Sequence, residues 1–345
     1  FILCGKKSFK NTNAKEYFLQ SFKNKKLKIF YKKLLLPEFK ELKIISKNLK
    51  KFKPDLLLAV GGGCVLDYAK IANVININFK SGKLIKNSEH PVTNKFTKLV
   101  AIPTTAGSGA EVTSNAVIYL NGIKYSIEHK NLVPDYFFLV PKFIITTPKK
   151  IKSSAGFDAY AQAIESLLAV KSNEISVKYA IKGLEKVNLN LVNYYNNPNL
   201  KNSLNIAKGA NFSGKAISIS KTTLPHAISY PFSYHYNLSH GHSVSLFFEK
   251  LIRYNFENIS KSNTNFDLGK RFKIIFKILK VRNIDGFIKK TLELKKKIGL
   301  EDNLKKLNIN LDNDKNKILK GINFLRLNNN PIKITPEKIF RILKK

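Results

Sequence analysis

The segment Leu56-Leu57-Leu58-Ala59-Val60-Gly61-Gly62-Gly63-Cys64-Val65-Leu66-Asp67-Tyr68-Ala69-Lys70 constrains the fold more than any other part of the chain. Its apolar run reads as a strand buried on both faces, its glycine triplet as a tight turn, and the remainder as a helix. Residues 1–4, 28–31 and 99–102 are further apolar runs, each followed by turn residues or a helical pattern. Strands alternating with helices imply a parallel sheet covered on both faces. From about Ser153 the pattern changes to long helical periodicities, such as 158–170 and 175–191, and beyond Lys250 to Lys/Ile/Leu/Asn-rich amphipathic stretches. Two tandem domains are expected: α/β over 1–152 and helical over 153–345. The seam between them is a natural place for a cleft.

The glycine triplet lets a phosphate approach the backbone, and the helix after it offers unpaired N–H groups and a partial positive charge. It is not the G-x-G-x-x-G fingerprint, and a plain strand-to-helix turn explains it equally well. A second segment, Pro103-Thr104-Thr105-Ala106-Gly107-Ser108-Gly109-Ala110-Glu111, again puts small and hydroxyl residues after a strand. Two such loops after two parallel strands can line one dinucleotide groove at the carboxyl edge of a sheet.

Asp158 and Gln162 are four residues apart and share a helix face. Four of the six histidines, His226, His235, His240 and His242, fall in one short window. An Asp with two imidazoles suits divalent iron or zinc. Histidines clustered in sequence are also often solvated or hydrogen-bonded, and spacing alone does not choose.

With 61 Lys+Arg against 23 Asp+Glu, the net charge is +38. Such a charge suits a nucleic-acid or membrane surface. It equally reflects the Lys/Asn/Ile bias of an AT-rich genome, and Met and Trp are both absent. The lysines are scattered rather than gathered in a stripe, so no specific nucleic-acid or membrane partner is expected, though the field favours an anionic substrate. No apolar run approaches the roughly 18 residues of a membrane span. Two cysteines without a spacing pattern fit a reducing cytoplasm. The chain starts at Phe1 rather than Met, its first residues are too few for a signal-peptide core, and a few preceding residues are expected.

Taken in order, these elements resemble the iron-containing (group III) alcohol dehydrogenases. That family is marked by Gly-Gly-Gly-Ser-x-x-Asp-x-Ala-Lys, Pro-Thr-Thr-Ala-Gly-Thr-Gly-Ser-Glu, Asp-Ala-x-x-His-Ala-x-Glu and His-x-x-x-His…Pro-His-Gly. The counterparts here are 61–70, 103–111, 158–165 and 226–241, and the closing 326–335 is similar as well. The departures are Cys64 and Ala110 for Ser, Gln162 for a metal-binding His, and Tyr230 for a second His. Gln162 and Tyr230, together with 221–232 and His240-Gly241-His242, look like the phosphonoacetaldehyde reductase (2-hydroxyethylphosphonate dehydrogenase) branch.

The resemblance implies a Rossmann-like dinucleotide-binding domain and an all-α metal-binding domain, the dehydroquinate synthase-like fold, in a homo-oligomer such as a dimer. It implies Fe²⁺, or Zn²⁺, on Asp158, His226 and His240, with Gln162 a weaker fourth ligand. NAD(P)H would lie on Gly61, Gly62, Gly63, Asp67, Thr104, Thr105, Ser108 and Lys124. Gly5 stands where NAD-preferring members carry an Asp, and Lys6 and Lys7 could meet a 2′-phosphate. Tyr230 and His242 are proton-donor candidates by position, with packing or outer-shell hydrogen bonding as the alternative. Lys221, Thr222 and Ser229, with Thr223, could meet a phosphonate, Lys221 being equally readable as a solvated surface lysine. The expected reaction is reduction of an aldehyde to a primary alcohol. A general short-chain or lactaldehyde-type dehydrogenase is the alternative, and a basic nucleic-acid-binding protein that has lost catalysis is the remote one.

Overall fold

The computed structural model describes residues 1–78, 80–87, 89 and 92–344. The chain divides into two compact units, Phe1–Thr147 with Asn199–Ala207, and Pro148–Pro198 with Lys208–Lys345.

In the first unit, β1 (Ile2–Gly5), β2 (Ile29–Lys32), β3 (Leu56–Gly61) and β4 (Lys98–Pro103) pair in parallel. An antiparallel hairpin, β5 (Asn115–Leu120) and β6 (Ile123–Glu128), stands apart from this sheet. The two-residue β7 (Tyr136–Phe137) completes the sheet in the order β2-β1-β3-β4-β7. The expected α/β class is borne out, and the reason is visible in side-chain alternation. Leu3, Leu57, Ala59, Leu99 and Ala101 face one apolar cluster, shared with α1 (Phe39–Phe52) and α2 (Gly63–Val74). Ile2, Cys4, Leu58, Val60, Val100 and Ile102 face the other, shared with Phe9, Phe18 and Phe143. Strand order reverses between β1 and β3, so Gly5, Gly61 and Pro103 leave the sheet at one edge beside the switch point.

The hairpin lies outside the four apolar runs of the sequence, although Asn121-Gly122 is a strong turn signal. Both residues adopt positive φ, 50° and 82°, as a primed turn demands.

The described second unit is helical. It includes α3 (Lys149–Leu168), α4 (Glu174–Asn196), α5 (Leu224–His235), α6 (His240–Ser245) and α7 (Phe248–Glu257). The expected seam at 152/153 falls inside α3, because nothing in the small residues 153–156 breaks a helix whose first turn starts after Pro148. Gly156 instead makes room for a neighbour, since a Cβ there would meet Leu191 Cδ1 at 2.1 Å. Asn173 caps α4 in a reciprocal box with Ser176. Pro231 lies inside α5 and cannot donate to the Ala227 carbonyl one turn back. The N–H of Asn323 supplies that bond at 3.1 Å. No helix among the described residues is long and apolar enough to cross a membrane.

Candidate metal centre and nucleotide loops

The two glycine-bearing loops lie side by side. Gly61 pairs with Pro103, and the Thr104 N–H donates to Gly61 O at 3.0 Å. A Cβ on Gly62 would stand 3.4 Å from Thr105 Oγ1, and one on Gly63 would stand 3.0 Å from Ser108 Oγ. The backbone of one loop thus touches the hydroxyls of the other. No side chain caps the start of α2, as an anion site at this helix start requires.

Asp67 is half-buried one turn into α2, and burial lifts its carboxyl to about 6 against the pull of Lys70, the Val117 N–H and Lys124. Lys124 is the second residue of β6, opposite Tyr119. The expected cofactor residues therefore converge within one unit. In the sequence Lys70 is only the last letter of the first motif. Its fully buried Nζ lies 2.6–3.0 Å from Ala110 O, Thr113 O, Thr113 Oγ1 and Asn115 O, tying α2 to the far end of the second loop. Burial draws its ammonium down to about 8 against the charges of Asp67 and Glu111. A lone lysine in a helix otherwise buried on that face was the available signal.

At the end of β1, Gly5 is half-buried, while Lys6 and Lys7 just beyond it are exposed.

In the second unit Asp158, His226 and His240 bring one ligand atom each to within 4.8 Å of one another. Asp158 comes from the middle of α3, His226 from the first turn of α5 and His240 from the first residue of α6. His226 Nε2 lies 3.1 Å from Asp158 Oδ1. Donors each about 2.1 Å from a shared ion sit about 3–3.5 Å apart, so this spacing fits common coordination. The His226 and His240 rings are 5.3 Å apart. One turn after Asp158, Gln162 is buried, and its Oε1 has no hydrogen-bond partner among the described residues. An orphaned buried amide oxygen one helical turn from Asp158 has the chemistry of a fourth, weak donor.

In the sequence Glu165 is only the last letter of the 158–165 motif, yet it is fully buried and faces the same cluster. Its Oε1 is 2.5 Å from His226 Nδ1. Burial alone would depress the His226 ring, but the adjacent Glu165 and Asp158 carboxylates outweigh it and lift the ring to about 10. Two carboxylates around one imidazole leave the cluster net negative, which suits a cation.

The remaining candidates divide. Tyr230 is half-buried one turn beyond His226, with its ring 6.0 Å from that of His240. His242 is buried, its ring Nε2 sits 2.7 Å from Glu301 O, and its N–H donates to Ser154 Oγ. His235 is exposed at the end of α5, away from the cluster. The Ser229 hydroxyl donates to His226 O at 2.8 Å, and that of Thr223 donates to Glu165 Oε2 at 2.9 Å. Thr222 is buried, and Lys221 Nζ donates to Ser218 O at 2.7 Å. Lys221 itself takes a left-handed conformation, φ 62°. The flanking carbonyls of Ser220 and Thr222 both accept from Asn329 Nδ2, at 2.8 and 2.9 Å. A run of three asparagines in the closing segment was the only sequence hint of that clamp.

Comparison with known proteins matches the same two segments. The model for iron-containing alcohol dehydrogenase covers residues 1–141, and that for the C-terminal part of the Fe-containing alcohol dehydrogenase family covers 152–345. The aldehyde-alcohol dehydrogenase 2 of Entamoeba histolytica is 30% identical over 59% of this chain, which spans a quarter of that protein's length. A 4-hydroxybutyrate dehydrogenase of Clostridium kluyveri is 28% identical over 83% of this chain and 78% of its own. A phosphonoacetaldehyde reductase of Streptomyces viridochromogenes is 26% identical over 61% of this chain and 56% of its own. Among solved structures, the sulfoacetaldehyde reductase of Bifidobacterium kashiwanohense, in complex with NAD+, superposes with a TM-score of 0.88. That likeness covers 99% of this chain and 89% of the other, at 22% identity, and concerns the fold. Matched along both halves, the chain belongs to the iron-containing alcohol dehydrogenase family.

Proposed function

We propose that this protein reduces an aldehyde to a primary alcohol with NAD(P)H, and that phosphonoacetaldehyde, giving 2-hydroxyethylphosphonate, is the leading substrate. The convergence of Asp158, His226 and His240 carries this reading. Those three residues, with Gln162, would hold Fe²⁺ or Zn²⁺. When bound, the ion supplies Lewis-acid polarisation of a carbonyl and the reduced nicotinamide supplies hydride.

The protein's own groups supply the rest. Gly61–Gly63 and the start of α2 bind the pyrophosphate, and Thr104, Thr105 and Ser108 add hydroxyl partners. Exposed Lys6 and Lys7 beside Gly5 favour tolerance of a 2′-phosphate. Tyr230 is the better-placed proton donor for the product hydroxyl, since the His242 ring is held by the Glu301 carbonyl. Lys221 and Thr222 are the anion partners in this reading. The four relatives named above include enzymes named for phosphonate-, sulfonate- and carboxylate-bearing substrates, which supports an anionic aldehyde. The free Cys4 and Cys64 accord with a reducing cytoplasm, and a homo-oligomer belongs to the same reading.

A second reading, a short-chain or lactaldehyde-type reductase, is favoured by one observation. Lys221 Nζ and the Ser229 hydroxyl are already bonded within their own segments. Oxidation of NADH and NADPH should be followed against phosphonoacetaldehyde, acetaldehyde and lactaldehyde, with added Fe²⁺. A kcat/KM for phosphonoacetaldehyde at least tenfold above the others supports the first reading. Equal values select the second, and no turnover of any aldehyde rejects both.

A further inference from the structure

Glu165 lies seven residues after Asp158 on α3, two turns along the same face. Its side chain is closed off from solvent and accepts from three directions. Oε2 takes the Thr223 N–H at 2.7 Å and the Thr223 hydroxyl at 2.9 Å, while Oε1 meets His226 Nδ1 at 2.5 Å. Thr223 is the residue from which α5 starts, and its own hydroxyl does not cap that helix. One carboxylate thus holds both the start of α5 and the ring three residues later. An imidazole that donates its Nδ1–H to a carboxylate has Nε2 left to meet an ion, and Nε2 is the nitrogen beside Asp158 Oδ1.

We propose that Glu165 is a positioning residue of the metal centre: it fixes the tautomer and orientation of His226 and strengthens Nε2 as a donor, offsetting the weak amide oxygen at Gln162. The proposal rests on the reading of Asp158, His226 and His240 as ligands. A neutral amide oxygen is a poorer donor than imidazole for a divalent transition metal, so the retained imidazoles carry more of the affinity. A carboxylate partner raises imidazole basicity, and losing such a partner typically weakens metal binding by about 10–100-fold. Glu165→Gln keeps the shape but not the function. Its amide carries one oxygen for donors on two sides, so either His226 or the Thr223 N–H meets an NH₂ group instead.

The test is Co²⁺ titration of the metal-stripped full-length protein and of its Glu165→Gln and Thr223→Val variants. Affinity is read by chelator competition and coordination by the visible absorption of the bound cobalt. Wild type should bind one ion. Glu165→Gln should bind at least tenfold more weakly with an altered spectrum, and Thr223→Val, which removes one of the three donors, should lose a few-fold. Adding Gln162→His to Glu165→Gln should restore much of the affinity. A Glu165→Gln protein with wild-type affinity and spectrum overturns the proposal while leaving the metal centre standing. If that variant does not fold, an unchanged affinity in Thr223→Val overturns it instead. A wild-type protein that takes up no cobalt overturns the metal reading itself.

Discussion

A Cβ on Gly241 would stand 1.9 Å from the carbonyl oxygen of Ser154, so α6 meets α3 backbone against backbone at this point. The same atom would lie 2.9 Å from Asp158 Cβ. Because the obstacle is main chain, it cannot swing aside. Gly241→Ala should push α6 outward and carry His240 away from Asp158. The expected result is at least tenfold weaker Co²⁺ binding and a loss of about 1–3 kcal/mol in stability. Calorimetric metal titration and urea unfolding check both, and an unchanged affinity would show that α6 can shift without moving its first residue.

Removing a ligand outright is a stronger test of the chemistry. Asp158→Ala and His240→Ala should each abolish aldehyde reduction at any concentration of added Fe²⁺, while far-UV circular dichroism stays as in wild type. Full turnover by metal-stripped His240→Ala protein would take the ion out of the reaction.

Gln162→His should tighten the centre. With a third imidazole in place of an orphaned amide oxygen, loss of Fe²⁺ or Zn²⁺ to excess chelator should slow by tenfold or more. Stopped-flow chelation measures this. A rate equal to wild type would mean that position 162 does not reach the ion.

Lys70 sets a pH dependence whose sign follows from burial. Its folded-state value of about 8 lies below that of an exposed lysine, about 10.4 in the unfolded chain. Between these values the unfolded state binds more protons, so the Lys70 contribution to stability rises as pH increases from 8 to 10.5. Lys70→Met should be less stable throughout, because Ala110 O, Thr113 O and Asn115 O lose their donor. It should also lack this rise, worth roughly 1–3 kcal/mol. Urea melts of both proteins at pH 8 and pH 10 give the difference. Parallel changes in the two proteins would place the lysine's charge elsewhere.

Cofactor choice turns on the end of β1. With Gly5 lacking a carboxylate and Lys6 and Lys7 exposed beside it, NADPH should be accepted at a rate comparable to NADH. Gly5→Asp should shift the ratio at least tenfold toward NADH. A strong NADH preference in the unaltered protein would contradict the expectation.

Much of this was legible in the residue order. The runs at 56–60 and 99–102 could only be strands buried on both faces, and the loops after them adjoin because parallel neighbours end together. Asp158, His226 and His240 were legible through the resemblance rather than through spacing, which left solvated histidines open. What sequence concealed is third-dimensional. Nothing in the local pattern tells that the Glu165 carboxylate reaches His226 across two helices, or that Asn329 grips the carbonyls around Lys221 from more than a hundred residues away. The hairpin at Asn121-Gly122 is signalled by its turn, but β6 mixes polar and apolar residues and is mostly half-buried or exposed, so it does not stand out beside the buried strands. His242 is one histidine among several in its stretch of sequence, whereas in the fold its ring faces the Glu301 carbonyl.

Every side chain assigned to the ion belongs to the second unit, and both glycine-bearing loops belong to the first. The donor set and the glycine-bearing loops are therefore built on separate cores, so a change at position 162 alters the donors without touching either loop.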